Sequence, residues 1–408
     1  MKYVLIGGSI ACYGAIIGIK SLDKNADITV FGDENSPLYS RPLISYFLEG
    51  KTSKENLAFR GADFYCKNGV NNISYKITEI NPESKTVKAE NGKNYPYDKL
   101  FFGTGSRPFV PPIQGLEKVK NKTCFYTADD AFRLKKTLNA DSRLLIVGAG
   151  LIGLKCAEGC YHITKNITVI DLQTRVLPTA TTPKVARILE NVLTEKGITQ
   201  RLGVSVNSFE ENSAVLSTGE KIPFDVVVLA MGVRPVTEPL ASAGALTSRG
   251  IIVDEYMRTS VPDVFSAGDC AESYDAVSGE KRLLQLFPSA YNGGLIAGKN
   301  MTGANESFLT DVALNSTSFF GLRFTSCGSY DGELIETENG TDYKALYIKN
   351  GLFNGYILVG NTDCAGIYTN IISHRIPLKD TDNKLLFGSP SLAVYDVATR
   401  NKLLSEKV

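Results

Sequence analysis

The chain has 408 residues, of which 43% are hydrophobic, so it can bury a large core and is expected to divide into two or three domains. With 44 basic against 43 acidic residues the formal net charge is +1, which excludes nucleic acid, a membrane surface or a highly charged ligand as partners legible from the overall field. Eight cysteines without a paired spacing and only two histidines argue against a disulfide scaffold and a histidine-rich metal site; no metal is expected, and this cysteine usage fits the cytoplasm.

In chain order, Tyr3–Ile6 is a short apolar strand that runs into Gly7-Gly8-Ser9-Ile10-Ala11-Cys12. A helical stretch to about Leu22 and a strand Ile28–Phe31 ending at Gly32-Asp33-Glu34 follow. The order strand, glycine turn, helix, strand, acid is that of a dinucleotide fold, although Ser9 and Cys12 stand where the second and third glycines of GxGxxG belong. Both are small, so the fold is expected to survive with a slightly wider helix–strand spacing, and Asp33 is the ribose-binding candidate. Lys2 and the apolar run before Cys12 mimic a lipoprotein signal, but the charged region is a single Lys and Ser9 occupies a position that wants an aliphatic residue. No later apolar run reaches the length of a bilayer span, and a soluble protein is expected.

Tyr97–Pro108, YDKLFFGTGSRP, is a buried strand, a glycine turn and Arg-Pro, and Phe224–Pro235, FDVVVLAMGVRP, echoes it at a constant offset of 127 residues, from Asp98 to Asp225 and from Gly105 to Gly232. Short strands precede each copy, with turns at Asn91-Gly92 and Thr218-Gly219. Between the copies lies an intact glycine motif. Leu144–Val147 is an apolar run, Gly148-Ala149-Gly150-Leu151-Ile152-Gly153 follows at once, and a second strand Ile167–Ile170 ends in Asp171. Gly148 allows the tight turn, Gly150 lets backbone N–H groups approach a pyrophosphate, and Gly153 lets the helix pack on the strand. Asp171 is placed to accept the ribose hydroxyls of NADH and to repel the extra phosphate of NADPH. Two copies of one pattern in one chain imply two dinucleotides, a flavin and a nicotinamide.

With these motifs the chain resembles the FAD-dependent pyridine nucleotide reductases of the two-dinucleotide-binding-domain flavoprotein superfamily. Thr259–Asp269 resembles the second FAD signature, whose last Asp hydrogen-bonds the ribityl chain, and Pro37–Leu43 resembles the segment whose Arg approaches the FAD pyrophosphate. Leu286–Gly294 resembles the start of a helix aimed at the flavin pyrimidine. The resemblance implies FAD contacts at Gly7, Ser9, Ala11, Asp33, Arg41, Pro42, Gly105, Asp269 and Phe287. NADH contacts fall at Gly148, Gly150, Ile152, Gly153, Asp171 and Gly232. It also implies an α/β fold of two Rossmann-like domains, FAD-binding over 1–115 and 242–308 and NAD(H)-binding over 116–241, with a small α+β domain over 309–408. In that last domain, strands near Tyr343–Tyr347 and Gly355–Val359 and a helix near Ile367–Ser373 are expected.

Disulfide reductases of the superfamily carry a cysteine in the stretch that here reads Tyr39–Ser45, and this chain has none. Cys156 and Cys160 share a helix face and are read as small packing residues, with a redox pair as the alternative. Many relatives pair a Glu with a Lys beside the nicotinamide, where this chain has Lys155 and Tyr46, so that pair cannot form. Lys155 is then either a cation that favours negative charge on the reduced flavin or a solvated side chain at the cleft. The implied activity is hydride transfer from NADH to FAD and release of electrons to a small redox protein such as rubredoxin or ferredoxin, by a monomer or homodimer. An NADH oxidase using oxygen, and a flavin- or NADH-binding sensor or assembly subunit, stay open as alternatives.

Overall fold

The structure, a computed structural model, describes residues 1–34, 37–388 and 390–405. The opening run Lys2–Ile6 is the middle strand of a five-stranded parallel sheet, between Asp27–Phe31 and Lys99–Phe102, with Val70–Ile73 and Val264–Ser266 at the edges. Both faces of its middle are covered, which is why Val4, Leu5 and Ile6 read as a continuous apolar run. A second parallel sheet repeats this arrangement: Leu144–Val147 is central, flanked by Ile167–Asp171 and Val226–Leu229, with Thr199–Leu202 and Lys122–Thr123 outside, the last preceding the central strand in the chain where Val264–Ser266 follows it. Each sheet carries a three-stranded antiparallel meander, turning at Gly92 and Gly219, both at positive φ.

The two copies of the Arg-Pro motif pair with each other. Ser106–Pro108 and Val233–Pro235 form a two-stranded antiparallel ribbon in which Arg107 faces Arg234. The guanidinium of Arg107 reaches Glu238 at 2.5 Å, and that of Arg234 lies 4.2 Å above the ring of Phe109, so the two cations are drawn apart. The helix Leu43–Leu48 also crosses between the halves: Ile44 and Leu48 join the core built on the second sheet.

The helix Ile10–Leu22 is buried almost all round because the helix Phe287–Met301 lies against it at backbone distance. A Cβ on Gly14 or Gly18 would come within 2.2 Å of the carbonyls of Tyr291 and Leu295, and one on Gly294 or Gly298 within 2.2 Å of those of Ala11 and Ala15. Beyond residue 309 a five-stranded antiparallel sheet, in the order Leu314–Phe319, Leu322–Gly328, Leu352–Val359, Asp342–Lys349, Glu333–Asn339, packs against the helix Ala365–Ser373. Tyr356, Tyr368 and Phe353 interlock there with ring centroids 5.2–6.4 Å apart, each such contact contributing about 0.5–1.5 kcal/mol beyond its buried area. The fold is α/β with two Rossmann-like sheets and a small α+β unit. Among the described residues no helix is long and apolar enough to cross a membrane.

Candidate functional site

Both glycine turns open into one cavity of about 1660 Å³, larger than the roughly 300–1,000 Å³ usual for one small ligand. Of the residues expected at the cofactors, all but Gly153 line it, Lys155 and Tyr46 included. Gly153 lies beneath: a Cβ there would be 1.9 Å from the Gly148 carbonyl oxygen, so its absence lets the helix Leu151–Cys160 sit on the turn. Gly148 itself, at φ +121°, faces the Ala230 carbonyl, which a Cβ would approach to 2.1 Å. Gly150 has open space where a side chain would stand, the room a pyrophosphate needs beside backbone N–H groups. The helices after Ser9 and Gly150 carry no acidic residue in the first turn and no side-chain cap, which leaves their N-terminal dipoles free for an anion.

Asp171 ends its strand with one carboxylate oxygen accepting Ala149 N–H at 2.6 Å and the other accepting Gln173 N–H at 2.7 Å. It is fixed against the glycine turn and keeps lone pairs for further donors in the cavity. Asp33 also lines the cavity, exposed, and its neighbour Glu34 takes the partners there: Glu34 pairs with Arg41 and accepts from Tyr39 Oη at 2.6 Å.

From Arg41 a chain of side chains runs along the cavity wall. Arg41 Nη1 donates to Tyr39 Oη and to the Tyr126 carbonyl, each at 3.1 Å, and its guanidinium stands 4.6 Å from the Tyr126 ring centroid. Tyr126 is held by a capping box in which Thr127 Oγ1 accepts Asp130 N–H at 3.1 Å while Asp130 Oδ2 accepts the N–H groups of Thr127 and Tyr126 at 3.0 and 3.1 Å. Tyr126 Oη lies 2.9 Å from Ser106 Oγ, which donates to Asp269 Oδ2 at 2.8 Å. Burial raises the Asp269 carboxyl above its ordinary range, with Ser106 and Arg41 opposing. Tyr126, Ser106 and Glu34 had not been singled out; the signal for Ser106 was a hydroxyl where the echo has Val233.

Lys155 is neither solvated nor an isolated cation. Its ammonium pairs with Glu158, one turn along the same helix, donates to the Ser318 carbonyl at 3.2 Å, and lies 5.3 Å from the Tyr46 ring. Lys155 pairs instead with Glu158, three residues on along the helix, a spacing at which such a pair can form but which was not singled out in the sequence. Cys156 and Cys160 are fully buried, Sγ atoms 4.0 Å apart, and no cysteine is among the cavity-lining residues. His374 caps the C-terminal end of the helix Ala365–Ser373 and is not among the cavity-lining residues.

The family model for pyridine nucleotide-disulphide oxidoreductases matches residues 1–294, most of the chain and all of both glycine motifs. The chain belongs to this family. Its members are flavoproteins that use FAD and NADH, and the donors and open glycine cradles described above fit both. The family's relatives of this chain are NAD(P)H-dependent flavoprotein oxidoreductases. Putidaredoxin reductase of Pseudomonas putida is 30% identical over 70% of this chain and 71% of its own. A nitrite reductase [NAD(P)H] of Bacillus subtilis is 29% identical over 88% of this chain, which spans only 44% of that protein; for a second Bacillus subtilis relative the share is 48%. The covalent putidaredoxin reductase–putidaredoxin complex has the same fold, with a TM-score of 0.87 at 23% identity over 100% of this chain and 99% of its own.

Proposed function

We propose that this protein oxidises NADH and passes the electrons to a small one-electron carrier of the rubredoxin or ferredoxin type, without a redox-active disulfide. The observation that carries this reading is a single cavity shared by both glycine turns and free of cysteine among its lining residues. FAD, when bound, supplies the conversion between two-electron and one-electron chemistry. The protein's own part is placement. The turn Gly148–Gly153 and Asp171 hold the nicotinamide dinucleotide, with preference for NADH because a 2′-phosphate would meet the Asp171 carboxylate. Gly7, Ser9, Ala11, Asp33, Arg41, Pro42, Gly105, Asp269 and the helix start at Phe287 hold the flavin dinucleotide. The work is divided between an FAD domain, 1–115 with 242–308, and an NAD(H) domain, 116–241, with 309–408 as the third, in a cytoplasmic monomer or homodimer.

The test is anaerobic. Stopped-flow mixing with NADH should bleach the visible flavin spectrum within seconds, and added rubredoxin or ferredoxin should restore it; a spectrum that NADH leaves unchanged would point to a binding or assembly subunit. Electron delivery to oxygen but to no carrier would favour an oxidase. Loss of carrier reduction after thiol alkylation, with flavin reduction intact, would overturn the thiol-free route.

A further inference from the structure

One wall of the cavity comes from outside the two nucleotide-binding sheets. Leu314, Asn315, Ser316 and Thr317 line it, and they belong to an edge strand of the antiparallel C-terminal sheet. Where this wall stands depends on what holds the strand and the tight turn after it, which Phe320 and Gly321 make at φ +51° and +90°. Its ladder partner is the strand Leu322–Gly328, and on the side of the helix Leu151–Cys160 its bonds converge on one carboxylate. Glu158 is 5% exposed; one of its oxygens accepts the Phe320 N–H at 2.6 Å and the other pairs with Lys155. The Lys155 ammonium in turn donates to the Ser318 carbonyl at 3.2 Å. Two side chains one helical turn apart thus grip the backbone on both sides of Phe319, while the Phe320 ring meets Tyr161 of the same helical segment at 5.2 Å.

Lys155 also faces inward. It lines the cavity beside Tyr46 and Ile152, with its ammonium 5.3 Å from the Tyr46 ring centroid and 5.9 Å from that of Phe319. A half-buried cation in such surroundings acts strongly on any charge that develops nearby, unless a neighbour balances it. We propose that Glu158 and Lys155 form a charge-balanced latch, in which Glu158 is a positioning residue that seats the C-terminal strand as a cavity wall and keeps the charge beside the flavin ring near zero. This rests on the reading that FAD occupies the part of the cavity bounded by Pro42, Tyr46 and Phe287.

The two functions of the latch have separate readouts. In protein freed of FAD, Glu158→Ala removes the acceptor of the Phe320 N–H, and hydrogen exchange at that amide should quicken at least tenfold, whereas Glu158→Gln keeps an acceptor and most of the protection. In the FAD-loaded protein, Glu158→Gln leaves Lys155 unbalanced and should raise the flavin midpoint potential, by about 30 mV for a tenfold change in a two-electron equilibrium. Lys155→Gln leaves the carboxylate unbalanced and should lower it. The double variant carrying both substitutions should return toward wild type, a pattern that loosened packing alone would not produce. Unchanged exchange at Phe320 in Glu158→Ala, or shifts of the same sign in the two single variants, would overturn the proposal. A wild-type chain that retains no FAD would instead refute the cofactor reading, and the exchange measurement would still decide the latch.

Discussion

The two nucleotide-binding halves share the order of four of their five strands and the same turn, yet each solves the contact between helix and turn differently. In the second half Gly153 lets the helix touch the turn, since a Cβ would lie 1.9 Å from the Gly148 oxygen. In the first half the matching position is Cys12, which carries a Cβ and a sulfur at the start of the helix Ile10–Leu22. Its sulfur lies 3.7 Å from the Ile6 carbonyl and beside Gly103, where an added Cβ would meet the Phe101 ring at 2.5 Å and this sulfur at 3.1 Å. The position 127 residues after Gly103 is Ala230. A glycine motif is therefore a condition on pairs of facing positions, and a bulkier residue on one side is tolerated where the other side is bare.

The largest expected effect tests that contrast. Gly153→Cys, which gives the second half the residue of the first, should cost about 3 kcal/mol or more, because the backbone itself must move. Cys12→Gly should cost about 1–2 kcal/mol, from one lost buried side chain and a freer helix residue. Denaturant midpoints of the two variants check this, and equal losses would mean that the two positions are packed alike.

A second difference is the partner of each turn's helix: Leu43–Leu48 in the second half, and in the first the helix Phe287–Met301. Asp311, buried beside it, accepts from Ser289 Oγ at 2.6 Å and Ser273 Oγ at 3.2 Å. Burial pushes its carboxyl up to about 6, against the two serines and the Val312 N–H, which lower it. A raised carboxyl binds its proton more tightly in the folded state, so its contribution to stability is greatest below about pH 4 and falls as pH rises through about 6. Asp311→Asn, fixed in a neutral form, should flatten the stability profile between pH 4 and 7 by up to about 3 kcal/mol. An unaltered slope in the variant would show that Asp311 is not the group responsible.

The acids at the strand ends form the third contrast. Asp171 is tied to its turn by two backbone bonds, whereas Asp33 is exposed and makes no hydrogen bond among the described residues. Asp171→Ala should narrow the preference for NADH over NADPH about tenfold, a difference of about 1.4 kcal/mol, while Asp33→Ala should leave that ratio alone and weaken FAD retention. Equal efficiency of the wild type with NADH and NADPH would remove the role given to Asp171. The smallest effect is expected at the paired thiols, which only the second half has: replacing Cys156 and Cys160 together by Ala should keep NADH-dependent reduction of an artificial acceptor within a few-fold. Loss of that activity with flavin reduction intact would reinstate a sulfur relay.

Local chemistry determined much of this from the amino-acid sequence alone. Apolar β-branched runs at Leu144–Val147 and Val226–Leu229, each closed by a glycine turn, read as strands covered on both faces, glycines at 148 and 150 are required by a turn and an open cradle, and the 127-residue echo exposes the duplication. Each of these depends on residues within a few positions of one another. Tertiary structure alone decided which distant groups meet. Nothing in either Arg-Pro copy says that the two will pair as one ribbon, that the glycines at 14 and 18 await the carbonyls of Tyr291 and Leu295, or that Glu158 will take the backbone of Phe320 across 162 residues. Those contacts come from how two similar sheets and a third unit pack together, and packing depends on the shape of whole surfaces rather than on any local pattern of residues.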